Sequence, residues 1–150
     1  MHILKKLKLI GKKLAALPTG HLVGKEPIPE TQNEIWKFVI QKHDAERAGP
    51  HYDVRLASPE IGRGYSWAGR YLPEKKKEVR LFTRQPDHNV RYFDFEGKLT
   101  GYGAGTVRTY TKGEAFVHNS SPNKISFSYD NKKYVLLDTG KDKWLFIRVK

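Results

Sequence analysis

HDAERAGPHYDVRL, residues His43–Leu56, decides how the chain is read. Its last part has the alternation of a β-strand, in which successive side chains point to opposite faces. Tyr52, Val54 and Leu56 then form an apolar face for a core, while His51, Asp53 and Arg55 line the other. Two neutral imidazoles, His43 and His51, with the Asp53 carboxylate make a nitrogen and oxygen donor set for a divalent metal. Arg55 follows on the same face, and a guanidinium is the side chain best shaped to hold a phosphate with two parallel hydrogen bonds. A half-buried strand with an ordinary solvated polar face would carry the same residues, so this stretch leaves both readings open.

Around it, 150 residues suit one domain with its own core. Hydrophobic residues make up 38% and aromatics 12%, enough to fold. The absence of cysteine excludes a disulfide scaffold and any thiolate zinc site. It fits a reducing, cytoplasmic compartment. A net charge of +12 favours a polyanionic partner, nucleic acid first.

The charge is concentrated at the start of the chain. Residues 2–17 place Ile3, Leu7, Ile10, Leu14 and Leu17 at helical spacing, with Lys5, Lys6, Lys8, Lys12 and Lys13 among them. Pro18 ends the predicted helix. Three readings compete for it: a helix docked on the domain, a phosphate-binding arm, and an interfacial helix on anionic membrane. The first two are favoured, because the remaining chain has the texture of a soluble domain. Lysines interrupt every candidate apolar core, so no secretory signal is expected. No apolar run is long enough to cross a bilayer, and no stable membrane insertion is expected. Residues 18–29 form a Pro/Gly-rich link in which His21 reads as a surface histidine. The predicted division is a basic arm and linker over 1–30 and a domain over 31–150.

Beyond the link, short alternating segments follow one another. Strands are predicted over Ile35–Lys42, His51–Ala57, Gly64–Arg70, Glu78–Arg84, Gly105–Thr111, Ala115–His118, Ile125–Tyr129, Lys132–Leu137 and Trp144–Val149. Turn residues stand at Lys112-Gly113, Pro122-Asn123, Asp130-Asn131 and Thr139-Gly140. This rhythm predicts a mainly β chain, an antiparallel β-barrel with a short N-terminal amphipathic helix and few others. Glu96, Gly97 and the glycines of GYGAG read as structural. His118 reads as a surface residue, and Lys75-Lys76-Lys77 as a solvated turn.

FVIQKHDAERAGPHYDVRL, GYSWAGR, PDHNVRYFDFEG, GYGAGTV and WLFIRVK, in that order, resemble the phosphoesterase domain of the bacterial end-joining ATP-dependent DNA ligase D. The likeness runs over roughly residues 35–150, with no polymerase or ligase module, as in a free-standing relative. The resemblance implies a β-barrel enzyme of DNA repair that trims 3′ ends of primer strands with manganese, removing a terminal ribonucleoside or a 3′-phosphate. It implies metal ligands at His43, His51 and Asp53, and phosphate-binding and catalytic groups at Arg55, Arg80, His88 and Tyr92. A further basic residue falls near Arg70. Zinc or cobalt would suit the same donors. The implied partners are DNA or DNA/RNA primer 3′ ends and a separate ligase or polymerase, with the chain itself a monomer.

Spacing adds that His88 lies on a turn after a strand aiming Arg80 and Arg84 along one face, so that Arg55, Arg80 and His88 can converge on one phosphate. Two departures stand out. The step between the first two histidines is longer here, with Ala48-Gly49-Pro50 inserted. Pro86 occupies the place of a glutamate that the family associates with its 3′-phosphatase step. The rival reading is a non-catalytic nucleic-acid-binding β-barrel that retains the fold.

Overall fold

The computed structural model describes residues 22–101 and 104–150. The amphipathic segment 2–17 and His21 therefore lie outside the described residues. Within them run β1 (Thr31–Ala45), β2 (Gly49–Ala57), β3 (Arg63–Gly69), β4 (Val79–Asn89), β5 (Gly97–Leu99), β6 (Gly105–Ser121), β7 (Lys124–Tyr129), β8 (Lys132–Asp138) and β9 (Lys143–Arg148). The helical content described is one 3-10 turn, Val90–Tyr92, capped by the Asn89 side chain.

The strands neighbour one another in the order β1-β2-β3-β4-β9-β8-β7-β6-β5, and β6 pairs back onto β1. Eight antiparallel strands thus close into a ring, with β5 added beside β6. The mainly β, antiparallel class expected from the turn spacing holds. The strand bounds differ from expectation at several places: β1 and β4 run longer than expected, β5 was not expected, and two expected strands are one. Lys112-Gly113 is not a turn: β6 runs unbroken for 17 residues. It does so because β1 pairs along it from Thr31↔Ser120 to Ala45↔Gly105, and that long-range ladder overrides the local turn signal. Gly105 has to be glycine: at φ +145° a Cβ would lie 2.1 Å from the Asp44 carbonyl oxygen across the ladder.

Alternation sends Trp36, Phe38, Ile40, Val54, Leu56, Tyr65, Trp67, Phe82, Trp144 and Phe146 into the ring with partners from β6, β7 and β8. Each such fully buried side chain contributes roughly 1.5–3 kcal/mol. Rings in contact, such as Trp67–Trp144 at 5.4 Å and Phe82–Phe146 at 5.3 Å, fill the interior. A filled interior leaves function to the outer face. There Val39 and Ala57 are covered by Phe93 and Val90 from the segment after β4. Among the described residues no helix is long and apolar enough to cross a membrane.

Candidate active site

The step from His43 to His51 is a hairpin. β1 and β2 pair from Lys37↔Ala57 to Ala45↔Gly49, which sets His43 directly opposite His51. The inserted residues close the turn, and Gly49 takes a positive φ of 79° there. Cross-strand partners share a face, so both imidazoles and Asp53 stand together on the outside of the ring. His43 Nδ1 lies 3.2 Å from Asp53 Oδ2, and His51 Nε2 lies 3.4 Å from Asp53 Oδ1. The two imidazole rings are 4.6 Å apart. One ligand atom from each of the three residues lies within 4.8 Å of the others, a spacing at which one cation can be shared.

The hydrogen bonding fits a cation. His51 Nδ1 lies 3.1 Å from the Gly49 carbonyl oxygen, an acceptor only, so this nitrogen donates. The Nε2 lone pair of the neutral ring then faces a carboxylate oxygen, an arrangement that calls for a second proton or a metal ion between them. The pKa of His51 reflects this: burial opposes its protonation, yet the hydrogen bond and charge of Asp53 and the Gly49 carbonyl raise it overall. Burial likewise opposes ionisation of Asp53, but hydrogen bonds from His43 and His51 and the charge of Arg55 hold it well below the usual carboxylate range. His43, Asp53 and Arg55 are only 5%, 6% and 4% exposed, so this is no ordinary solvated strand face.

Arg55 owes its burial to the 3-10 turn. Its Nη1 donates to the Phe93 carbonyl at 3.0 Å and reaches the Tyr92 carbonyl at 3.4 Å. Burial lowers its pKa, while the Asp53 and Asp94 carboxylates act the other way. Among the described residues Arg55 Nε and the Ser66 hydroxyl, both buried, have no hydrogen-bond partner, which leaves donors for a ligand. Ser66 and Ala68 stand opposite Arg55 and Asp53 on β3, and such small side chains leave the floor open.

His88 reaches this face through a bulge. β3 pairs Ser66 with Gln85 but Gly64 with His88, so Pro86 and Asp87 together oppose Tyr65. One extra residue reverses the alternation and brings His88 onto the side of Thr83 and Gln85. His88 therefore belongs to β4 and not, as expected, to a turn after it. Proline suits a bulge because it has no N–H for the ladder. Asp87, fully buried, fixes the bulge: it accepts from Arg63 at 3.0 Å, Arg84 at 2.9 Å and the Glu26 amide at 2.8 Å. Residues 22–24 run alongside, Leu22 bridging to His88.

A cleft of about 890 Å³ opens over these groups. His43, His51, Asp53, Arg55, Arg70 and His88 all line it. Arg70 sits at the rim with Nη2 3.3 Å from the Ala48 carbonyl oxygen. The other expected residues do not join them. Arg80 and Arg84 share the side of Phe82, with Arg80 on Glu78 at 2.9 Å and over the Tyr71 ring, and Arg84 on Asp87. The convergence of Arg80 with Arg55 and His88 is thus not what the strand provides. Tyr92 is buried, and it is the Tyr92 carbonyl that meets Arg55. Arg47, Ser66 and Gln85 line the cleft without having been singled out. The Ser66↔Gln85 pairing that brings two of them there is long-range.

A family model described as the DNA ligase D 3′-phosphoesterase domain matches residues 41–148, from two positions before His43 on β1 to the last strand. The chain belongs to this family. Among curated proteins no match was found. The family supports a phosphoesterase role in end processing, and the matched stretch contains every residue of the donor cluster.

Proposed function

We propose that the chain is a metal-dependent phosphodiesterase that removes a terminal nucleoside from the 3′ end of a primer strand, with manganese as the ion. The observation that carries this reading is the His43, His51 and Asp53 cluster beside the buried Arg55 in the cleft of a chain of this family. A divalent ion on those three donors would supply Lewis-acid polarisation of a phosphoryl oxygen. The remaining work falls to the side chains. Arg55, held by two carbonyls and already desolvated, presents its remaining donors to the equatorial phosphoryl oxygens without reorganising. His88, on the same cleft, gives a proton to the leaving oxygen or orients the phosphate. Arg70 and Arg47 at the rim neutralise the flanking phosphates, fixing position without reading sequence.

Pro86 lines the cleft and carries neither acid nor base. A glutamate at that place is what the family associates with its phosphatase step. Diester cleavage is therefore the retained activity in this proposal, and removal of a bare 3′-phosphate is the weakened one. The test is a labelled primer ending in a 3′ ribonucleotide, incubated with manganese, zinc or cobalt, beside the same primer ending in a 3′-phosphate. Shortening of the first, abolished in Asp53→Asn, is the expected result. Binding of the primer without shortening under every metal would replace this reading with a non-catalytic nucleic-acid-binding role.

A further inference from the structure

The aromatic filling of the ring stops short of one end. There a second hollow, of about 440 Å³, opens among the last residues of β7 and β9, the first of β8 and the middle of β6. Phe38, Tyr110, Tyr129, Tyr134 and Phe146 form its walls. The volume is that of a small-molecule site, and barrel mouths are among the places where such sites occur. Tyr110 is the unpaired residue of the β6 bulge opposite Ile40 and Gln41. Its ring meets Tyr52 edge-on at 5.5 Å, yet it stays 54% exposed.

A short rim joins this hollow to the cleft. β3 ends at Gly69; Arg70 then lines the cleft, and Leu72, Pro73 and Glu74 line the hollow. From Arg70 to Leu72 the backbone covers at most about 7 Å. Between them Tyr71 is 64% exposed, with the Arg80 guanidinium over its ring at 5.5 Å. Arg80, which the cleft does not include, belongs to this end: its strand partner is Phe146, in the wall of the hollow. Charges balance at the mouth, Glu74 and Asp130 against Lys132 and Arg148, and Asp130 is paired with Lys132 at 3.4 Å. A bare anion or an ammonium ion therefore gains little there. What the hollow offers is aromatic surface, with hydrogen-bonding groups of both kinds around it.

We propose that this hollow is a stacking site for one nucleobase of a single strand whose 3′ end lies in the cleft. A base is a flat ring with donors and acceptors on its edge, which matches aromatic walls under a mouth of two carboxylates and two cations. Stacking of this kind is indifferent to sequence, since every base has a π-face. A base held inside a duplex is not free to enter a pocket, so the site takes unpaired strand. With a rise of about 3.4 Å per nucleotide, the occupant is the base about one to three nucleotides before the terminal one. Tyr71 stands on the way, over the rim. That the strand presents its 3′ end rests on the proposed function; the stacking does not.

The test is binding of a short labelled single strand of DNA to the full chain, with chelator present so that no trimming intervenes. Strands with one abasic nucleotide, placed in turn at each position from the 3′ end, are compared with the intact strand. An abasic position within about three nucleotides of the end should weaken binding roughly tenfold, the scale of one lost base–aromatic stack. Tyr110→Ala should bind intact and abasic strands alike, whereas Tyr110→Phe should keep the difference. Tyr71→Ala, at a still more exposed position, should reduce the difference. No binding of the single strand, equal binding of intact and abasic strands by the unsubstituted chain, or an abasic effect that persists undiminished in Tyr110→Ala and Tyr71→Ala would overturn the site. The readout needs no turnover, so failure here and failure of the primer assay are separate results.

Discussion

Removing the Asp87 carboxylate should destabilise the chain more than any surface ion pair could. Asp87 is fully buried and accepts three hydrogen bonds, two of them from guanidinium groups. In Asp87→Ala, Arg84, whose side chain is 10% exposed, keeps the Glu26 carbonyl but loses its counter-charge. Arg63 is 23% exposed and has Glu26 within 3.6 Å, so its loss is softened by solvent and by that second carboxylate. Breaking a buried pair from one side costs about 3–5 kcal/mol. With Arg63 discounted, the lower end, ~3 kcal/mol, is the expectation. For a chain of this length that is a fall in Tm of roughly 6–12 °C. Asp87→Asn keeps the shape and one acceptor and should lose about half as much. Urea unfolding of the three proteins measures this, and hydrogen exchange at the amides of Val23 and Glu26, bonded to Asp87, locates it. A loss below ~1 kcal/mol in Asp87→Ala, the scale of an exposed pair, would refute the reasoning.

Asp53→Asn should fold but gain nothing from manganese, whereas the unsubstituted chain at a hundredfold excess over Kd should gain about 2.7 kcal/mol of stability in a thermal melt. Primer trimming should disappear in the same variant, and His51→Ala should behave alike. Gly105→Ala should cost at least ~2 kcal/mol, since both the positive φ and the Asp44 carbonyl stand against a Cβ; an unchanged urea midpoint would contradict this. Metal affinity, measured by calorimetry, should weaken steadily as pH falls, because each imidazole must shed its proton to bind; a flat profile from pH 8 to about 5.5 would remove the histidines from the donor set.

How much of this the sequence held can be judged residue by residue. Alternation in HYDVRLA separated Val54 and Leu56 from Asp53 and Arg55, and the core confirms that split. The same alternation already grouped Arg80 and Arg84 with Phe82, and Phe82 is in the core. A strand cannot turn those arginines to the other face without a bulge between them, so their separation from Arg55 is legible in the alternation of Glu78–Arg84, against the expectation that spacing lets them converge. His88 was harder. Its side depends on one extra residue at Pro86 and Asp87, and a bulge reverses alternation without changing composition; the proline was the available sign. The continuity of β6 was hidden because it follows from a ladder to β1, which no local pattern encodes. So was the burial of Arg55, which comes from carbonyls of Tyr92 and Phe93, some forty positions away in sequence.

The placement of the site on the outer face also decides what its substitutions can do. The interior is occupied by Trp36, Trp67, Trp144 and their neighbours, and a polar cluster there would face aromatic rings with no partner for its charges. Outside, the same strands hold two imidazoles and a carboxylate under the cleft, and a guanidinium whose Nη1 is held by the carbonyls of the segment from Val90 to Phe93, which packs as a cover on Val39 and Ala57. Cluster and core thus share strands but lie on opposite faces of them. Phe93 tests the division: it packs on Val39 and Ala57, outside the ring, and its carbonyl holds Arg55. Phe93→Ala should cost the ~3 kcal/mol or more of a buried aromatic only if the cover is as well packed as the core. A smaller loss in urea unfolding, together with weakened primer trimming, would mark the cover as a separately opening unit over an intact ring. Unfolding of the ring and loss of trimming in one transition at the full cost would show that cover and core are a single cooperative structure.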